Sequence, residues 1–148
     1  MAGNKKARNF RNYKVWQDAV GFATKVYKVT AEMPWFEKKG LCDQLQRAVV
    51  SISSNIAEGA AKPSDIEFAH FLDMSLGSAF EVETQLLIAK NVGYIRSKND
   101  NVDDNDNNLN DNNLNANANK KGCVTYEELL EGIDDIERQL AALIKTLR

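Results

Sequence analysis

Apolar residues recur at helical spacing in four blocks of this chain, and none of the blocks alternates as a half-buried strand would. In residues 44–59, Leu45, Ala48, Val49, Ile52 and Ile56 fall at the i, i+3, i+4, i+7 recurrence of a buried helical face. The opposite side is ordered too: Arg47, Ser51, Ser54 and Glu58 follow at spacings of 4, 3 and 4. Short hydroxyls there leave the backbone open to a packing partner. Upstream, Val15, Trp16, Ala19, Phe22, Ala23, Val26, Tyr27 and Thr30 mark a first helix over about 13–33. Pro34 stops it, because proline disfavours helix at the preceding residue. The second helix runs from Gly40 or Leu41 to about Gly59, and Trp35 and Phe36 in the turn are expected to cap one end of the core.

The third helix has a written start. Ser64 and Glu67 form a capping-box pair ahead of the stripe Phe68, Phe71, Leu72, Ser75, Ala79, Val82 and Leu86, which runs to about Val92 before Gly93. Ser75, Gly77, Ser78 and Ala79 are small enough to admit another backbone closely. Thr125 and Glu128 are a second capping pair, with Val124 and Leu129 as its staple. The stripe Leu129, Leu130, Ile133, Ile136, Leu140, Leu143, Ile144 and Leu147 follows, with acids early and Lys145 and Arg148 late, as the helix dipole favours. Four amphipathic helices specify an all-α fold, an up-down antiparallel four-helix bundle forming a single domain over 1–148.

Two stretches fall outside that pattern. Residues 99–119 hold 11 Asn and 5 Asp, so 98–122 reads as a disordered insert, a long low-complexity loop between helices three and four. Asp104, Asp106 and Asn108 have the first ligand spacings of a calcium loop. Leu109 and Asn115, however, stand where that loop needs its glycine and its bidentate glutamate, so no metal is expected. Residues 1–12 read as a flexible basic leader with no apolar run of a signal peptide behind Lys5, Lys6, Arg8 and Arg11. Cys42 and Cys123 lack a CxxC spacing, and no run of about 20 apolar residues exists. A cytoplasmic protein with reduced thiols is expected, with Cys42 a small core residue.

Charge changes the picture only locally, since the net charge is −2. Residues 1–62 hold 11 Lys and Arg against 5 Asp and Glu, and residues 63–148 hold 8 against 16. Such asymmetry means either a basic binding surface or two halves that attract each other in a bundle or oligomer. Arg8, Arg11, Lys14, Lys25, Lys28 and Arg47 are the candidate contacts to nucleic acid or a partner. Arg47, Ser51, Ser54, Asn55, Glu58, Glu81 and Glu83 are the candidate subunit interface or buried polar network. Arg47 and Glu58 are 11 residues apart and cannot pair with each other, so Glu83, on the shoulder of the third stripe, is a natural partner for one of them. The one histidine, His70, lies opposite the third stripe beside no nucleophile, and no phosphate loop, dinucleotide glycine pattern or Glu-x-x-His pair occurs. Neither an enzyme nor a cofactor is expected.

The run Gln44, Leu45, Arg47, Ala48, Ser51, Asn55, Ile56, Ala57, Glu58 and Gly59, followed by Gly77, Ser78, Ala79, Glu81 and Glu83, resembles the signature of a bacterial four-helix bundle family. Its members are often encoded within intervening sequences of 23S ribosomal RNA genes. Val15, Trp16, Gln17, Ala19, Tyr27, Pro34, Glu37, Gly40 and Leu41 also sit where that family has similar residues, and the resemblance covers about 8–96 and, more weakly, 125–148. The family usually has a short connection where this chain carries its Asn/Asp insert. A relative, the accessory protein of diversity-generating retroelements, is a pentameric bundle contacting reverse transcriptase and nucleic acid. The resemblance thus implies a homo-oligomer, a pentamer, that associates with RNA, DNA or a reverse transcriptase. The alternative is a purely structural or protein–protein bundle.

Overall fold

A computed structural model of the chain describes residues 7–100 and 123–148. Its helices are α1 (Lys14–Ala31), α2 (Leu41–Ala60), α3 (Asp65–Asn91) and α4 (Tyr126–Leu147), with short 3-10 turns at Phe10–Asn12 and Trp35–Glu37. Each helix packs against its sequence neighbours and α1 closes on α4, which gives the expected up-down four-helix bundle. The expected contents of 1–6 and 101–122 lie outside the described residues.

The core is built from the predicted stripes. Leu45, Val49, Ile52 and Ile56 of α2 meet Val26 of α1, Phe68, Leu72 and Leu86 of α3, and Leu129, Ile133, Ile136 and Leu140 of α4, all closed to solvent. The closest packing is between α2 and α3, where Gly59 lies against an aromatic pair: a Cβ there would stand 2.6 Å from the Phe71 Cβ. Ser75 donates its hydroxyl to the Ile52 carbonyl at 2.8 Å in the same seam. Cys42 is buried as expected, its thiol facing the Thr30 carbonyl and the Met33 sulfur, and burial pushes its pKa up.

The helix ends differ from expectation in instructive ways. Thr125 and Glu128 complete a reciprocal capping box. At α3, Ser64 caps the Glu67 N–H, but the Glu67 carboxylate accepts the Ser64 hydroxyl rather than reaching the backbone, so the box is half formed. Gly93, at φ 85°, ends α3 by letting the Tyr94 N–H return to the Ala89 carbonyl and its own to that of Lys90. Trp35 and Phe36 do not cap the core: they are 86% and 49% exposed, because Met33 and Leu41 already fill that end. Tyr27, placed in the α1 stripe from sequence, is also exposed, on the flank beyond Val26.

Residues 7–12, expected to belong to a flexible leader, are docked. The Arg8 guanidinium lies 4.9 Å from the centre of the Phe68 ring, donates to the Lys62 carbonyl at 2.7 Å and pairs with Asp65. Phe10 meets Trp16 edge-to-face at 5.1 Å. Between the described residues on either side of 101–122, Glu127 accepts from the Ser97 hydroxyl at 2.5 Å and the Lys98 N–H at 3.0 Å, so the exit of α3 is clipped to the start of α4. Those two donors hold the Glu127 carboxyl below its ordinary pKa.

Candidate functional site

The polar line on α2 divides between two surfaces. Ser51 and Asn55 turn into the α2/α3 seam, where the Ser51 hydroxyl meets that of Ser78 at 2.9 Å and the Asn55 amide donates to the Ser51 carbonyl at 2.9 Å. Arg47, Ser54 and Glu58 face solvent. Arg47 pairs with Asp43 of its own helix at 3.1 Å with its side chain 80% exposed, so it neither needs nor meets Glu83. The expected pairing fails because a nearer carboxylate one turn away satisfies the guanidinium. Glu81 is exposed and accepts from the Gln85 amide at 3.2 Å.

The basic candidates likewise separate by what already holds them. Arg8 is spent on Phe68 and Asp65, and Lys14 on Asp18, with Asp135 at 4.0 Å. The Arg11 guanidinium lies 4.5 Å from the centre of the Phe10 ring. Lys25 and Lys28 are exposed and make no ion pair among the described residues. Both project from the outward face of α1, one and two turns beyond Gly21, where an added Cβ would meet nothing within 4 Å. Thr24 shares this face, and exposed Val20 and Tyr27 flank it. A cationic strip with a bare backbone at one end can receive an anionic chain closely.

Glu83 finds its neighbours on α4. One carboxylate oxygen from each of Glu83, Asp134 and Glu137 lies within 4.8 Å of the others. Burial, then the hydrogen bond to Glu83 and the charges of Glu83 and Asp134, push the Glu137 carboxyl up to about 7. Glu137 therefore keeps its proton up to near neutrality, and its buried Oε1 has no hydrogen-bond partner among the described residues. Three oxygens are about half of what a calcium ion takes. Beside the cluster runs a groove of about 550 Å³ between α3 and α4, floored by Leu76, Phe80 and Leu130. Sequence reasoning singled out neither Asp134 nor Glu137. The available signal was spacing: Glu137 sits four residues after Ile133 and three before Leu140, on the edge of the α4 stripe. His70, expected to be exposed, is so, with the Phe71 ring at 6.3 Å.

No helix among the described residues is long and apolar enough to cross a membrane. A crystal structure from Bacteroides thetaiotaomicron VPI-5482, of a protein of unknown function from the S23 ribosomal protein family, superposes with a TM-score of 0.66. It is 20% identical, and the alignment covers 88% of this chain and 95% of that one, so the likeness concerns the fold. No curated protein matches the chain. Residues 11–113 match the 23S rRNA-intervening sequence protein family, a span running from the docked Arg11 through the whole α2/α3 seam. On that match the chain belongs to the 23S rRNA-intervening sequence protein family.

Proposed function

We propose that this protein is a non-enzymatic, homo-oligomeric bundle that associates with nucleic acid through the outward face of α1. The observation that carries the reading is the pair Lys25 and Lys28, exposed on the turns that follow Gly21 and without an ion-pair partner among the described residues. Unpaired cations lose little on meeting phosphate, whereas Arg8 and Lys14 would first have to leave carboxylates. Self-association has separate support in α3, whose outward side carries Ile66, Met74, Ile88 and Val92 exposed around Gly77. Gly77 has open space where its Cβ would be, so a second helix can approach there. A five-membered ring and a reverse-transcriptase partner are what the retroelement resemblance adds to this reading.

The purely structural alternative rests on that same α3 face, which needs no nucleic acid. Fluorescence anisotropy with single-stranded RNA and double-stranded DNA, read beside light scattering, separates the two. The double variant Lys25→Ala/Lys28→Ala is expected to keep the parent's assembly and lose at least about tenfold in affinity. A parent that assembles but binds neither nucleic acid leaves the structural reading standing.

A further inference from the structure

The groove between α3 and α4 has a floor and a rim of different chemistry. Phe80, 53% exposed, forms the floor together with Leu76 and Leu130. Glu127, Glu131, Asp134 and Glu137 line the other side, and the lone cation among the lining residues, Arg138, is directed to Asp135 at 3.7 Å. An apolar trough with a carboxylate edge fits a helix that is apolar on one side and cationic along its border.

The chain's own described surfaces match that combination only in part. On α1, Lys25 and Lys28 lie beside the exposed Val20 and Tyr27, but these cations are the ones assigned to phosphate. Trp35 and Phe36, next to Lys38 and Lys39, stand in a three-residue turn rather than on a helix. Outward α2 offers Arg47, Ser54 and Glu58, and outward α3 is apolar but carries Glu67 and Glu81. We propose that the α3/α4 groove docks a basic amphipathic helix of another protein, its apolar side covering Leu76, Phe80 and Leu130 and its lysine or arginine heads meeting Glu131, Asp134 and Glu137. The site is separate from the α1 face and stands whether or not that face binds nucleic acid. An arriving cation displaces the proton held at Glu137 by burial and by Glu83 and Asp134, so docking tightens as pH rises through neutrality. The charged groups facing Glu137 are Glu83 from α3 and Asp134 from its own helix.

The probe is a fluorescein-labelled 18-residue amphipathic peptide of leucine and lysine, with a leucine–glutamate peptide as its control. Anisotropy with the full chain is expected to show the lysine peptide binding several-fold to about tenfold tighter at pH 8 than at pH 6, the factor by which the ionised fraction of a group titrating near 7 changes. Phe80→Asp, at an exposed position, should abolish binding. Glu137→Gln should weaken it and erase the pH dependence, and RNA affinity should stay unchanged in both variants. Lysine-peptide binding that is indifferent to both substitutions, or matched by the glutamate peptide, would overturn the proposal. So would a parent oligomer that refuses the peptide and falls to monomers on Phe80→Asp, since the groove's occupant would then be a second copy.

Discussion

Ile52 is fully closed to solvent at the middle of α2, and its carbonyl accepts the Ser75 hydroxyl across the seam. Ile52→Asp places an unpaired charge there at a cost of roughly 4 kcal/mol or more. The variant is expected to unfold or aggregate, read as loss of the far-ultraviolet helical signal at room temperature. Arg47, by contrast, is exposed and bonded only to Asp43, so Arg47→Ala should change stability by less than about 0.5 kcal/mol in chemical denaturation. Glu137 gives a pH signature of definite sign. Its carboxyl binds a proton more tightly folded than unfolded, so its contribution to stability is fully present below its ordinary value of 4.5 and is lost as pH rises towards about 7. After solvent screening the decline is on the order of 1 kcal/mol. Denaturation at pH 5 and pH 8 should show it for the parent and not for Glu137→Gln. A parent whose stability rose over that interval would contradict the shared-proton account.

At the scale of elements, the α2/α3 seam is where small side chains matter most. A Cβ on Gly59 would lie 2.6 Å from the Phe71 Cβ and 2.9 Å from the Phe68 ring, so Gly59→Ala forces the helices apart. A loss of about 1–3 kcal/mol is expected by thermal denaturation. All four helices were legible in the sequence to within a residue or two, because periodic apolar stripes and punctuation by Pro34, Ser64, Gly93 and Thr125 are local properties. Contacts between elements were less legible. The destination of Glu83 depends on which face of α4 turns towards α3, and the docking of Arg8 on Phe68 depends on the leader returning across 60 residues of chain. Trp35 was misplaced for the opposite reason: its size argued for burial, but the core end was already filled. Of the candidate site residues, Lys25 and Lys28 could be named from charge alone, but their freedom from partners could only be seen once the helices were assembled.

The whole molecule carries different chemistry on different sides: cations on α1, apolar groups around Gly77 on α3, and carboxylates along the α3/α4 groove. Gly77→Ala should raise the melting temperature of dilute protein, since a mid-helix glycine costs up to about 1 kcal/mol, yet weaken self-association if α3 is the subunit face. Sedimentation over a concentration series checks the second half of that expectation. The central claim is that Lys25 and Lys28 meet phosphates, and the salt dependence of RNA affinity tests it most directly. For single-stranded RNA, each phosphate neutralised contributes about 0.7 to the slope of log affinity against log salt. Lys25→Ala/Lys28→Ala should therefore flatten the parent's slope by about 1.4 while light scattering stays unchanged. An identical slope in parent and variant would contradict the account.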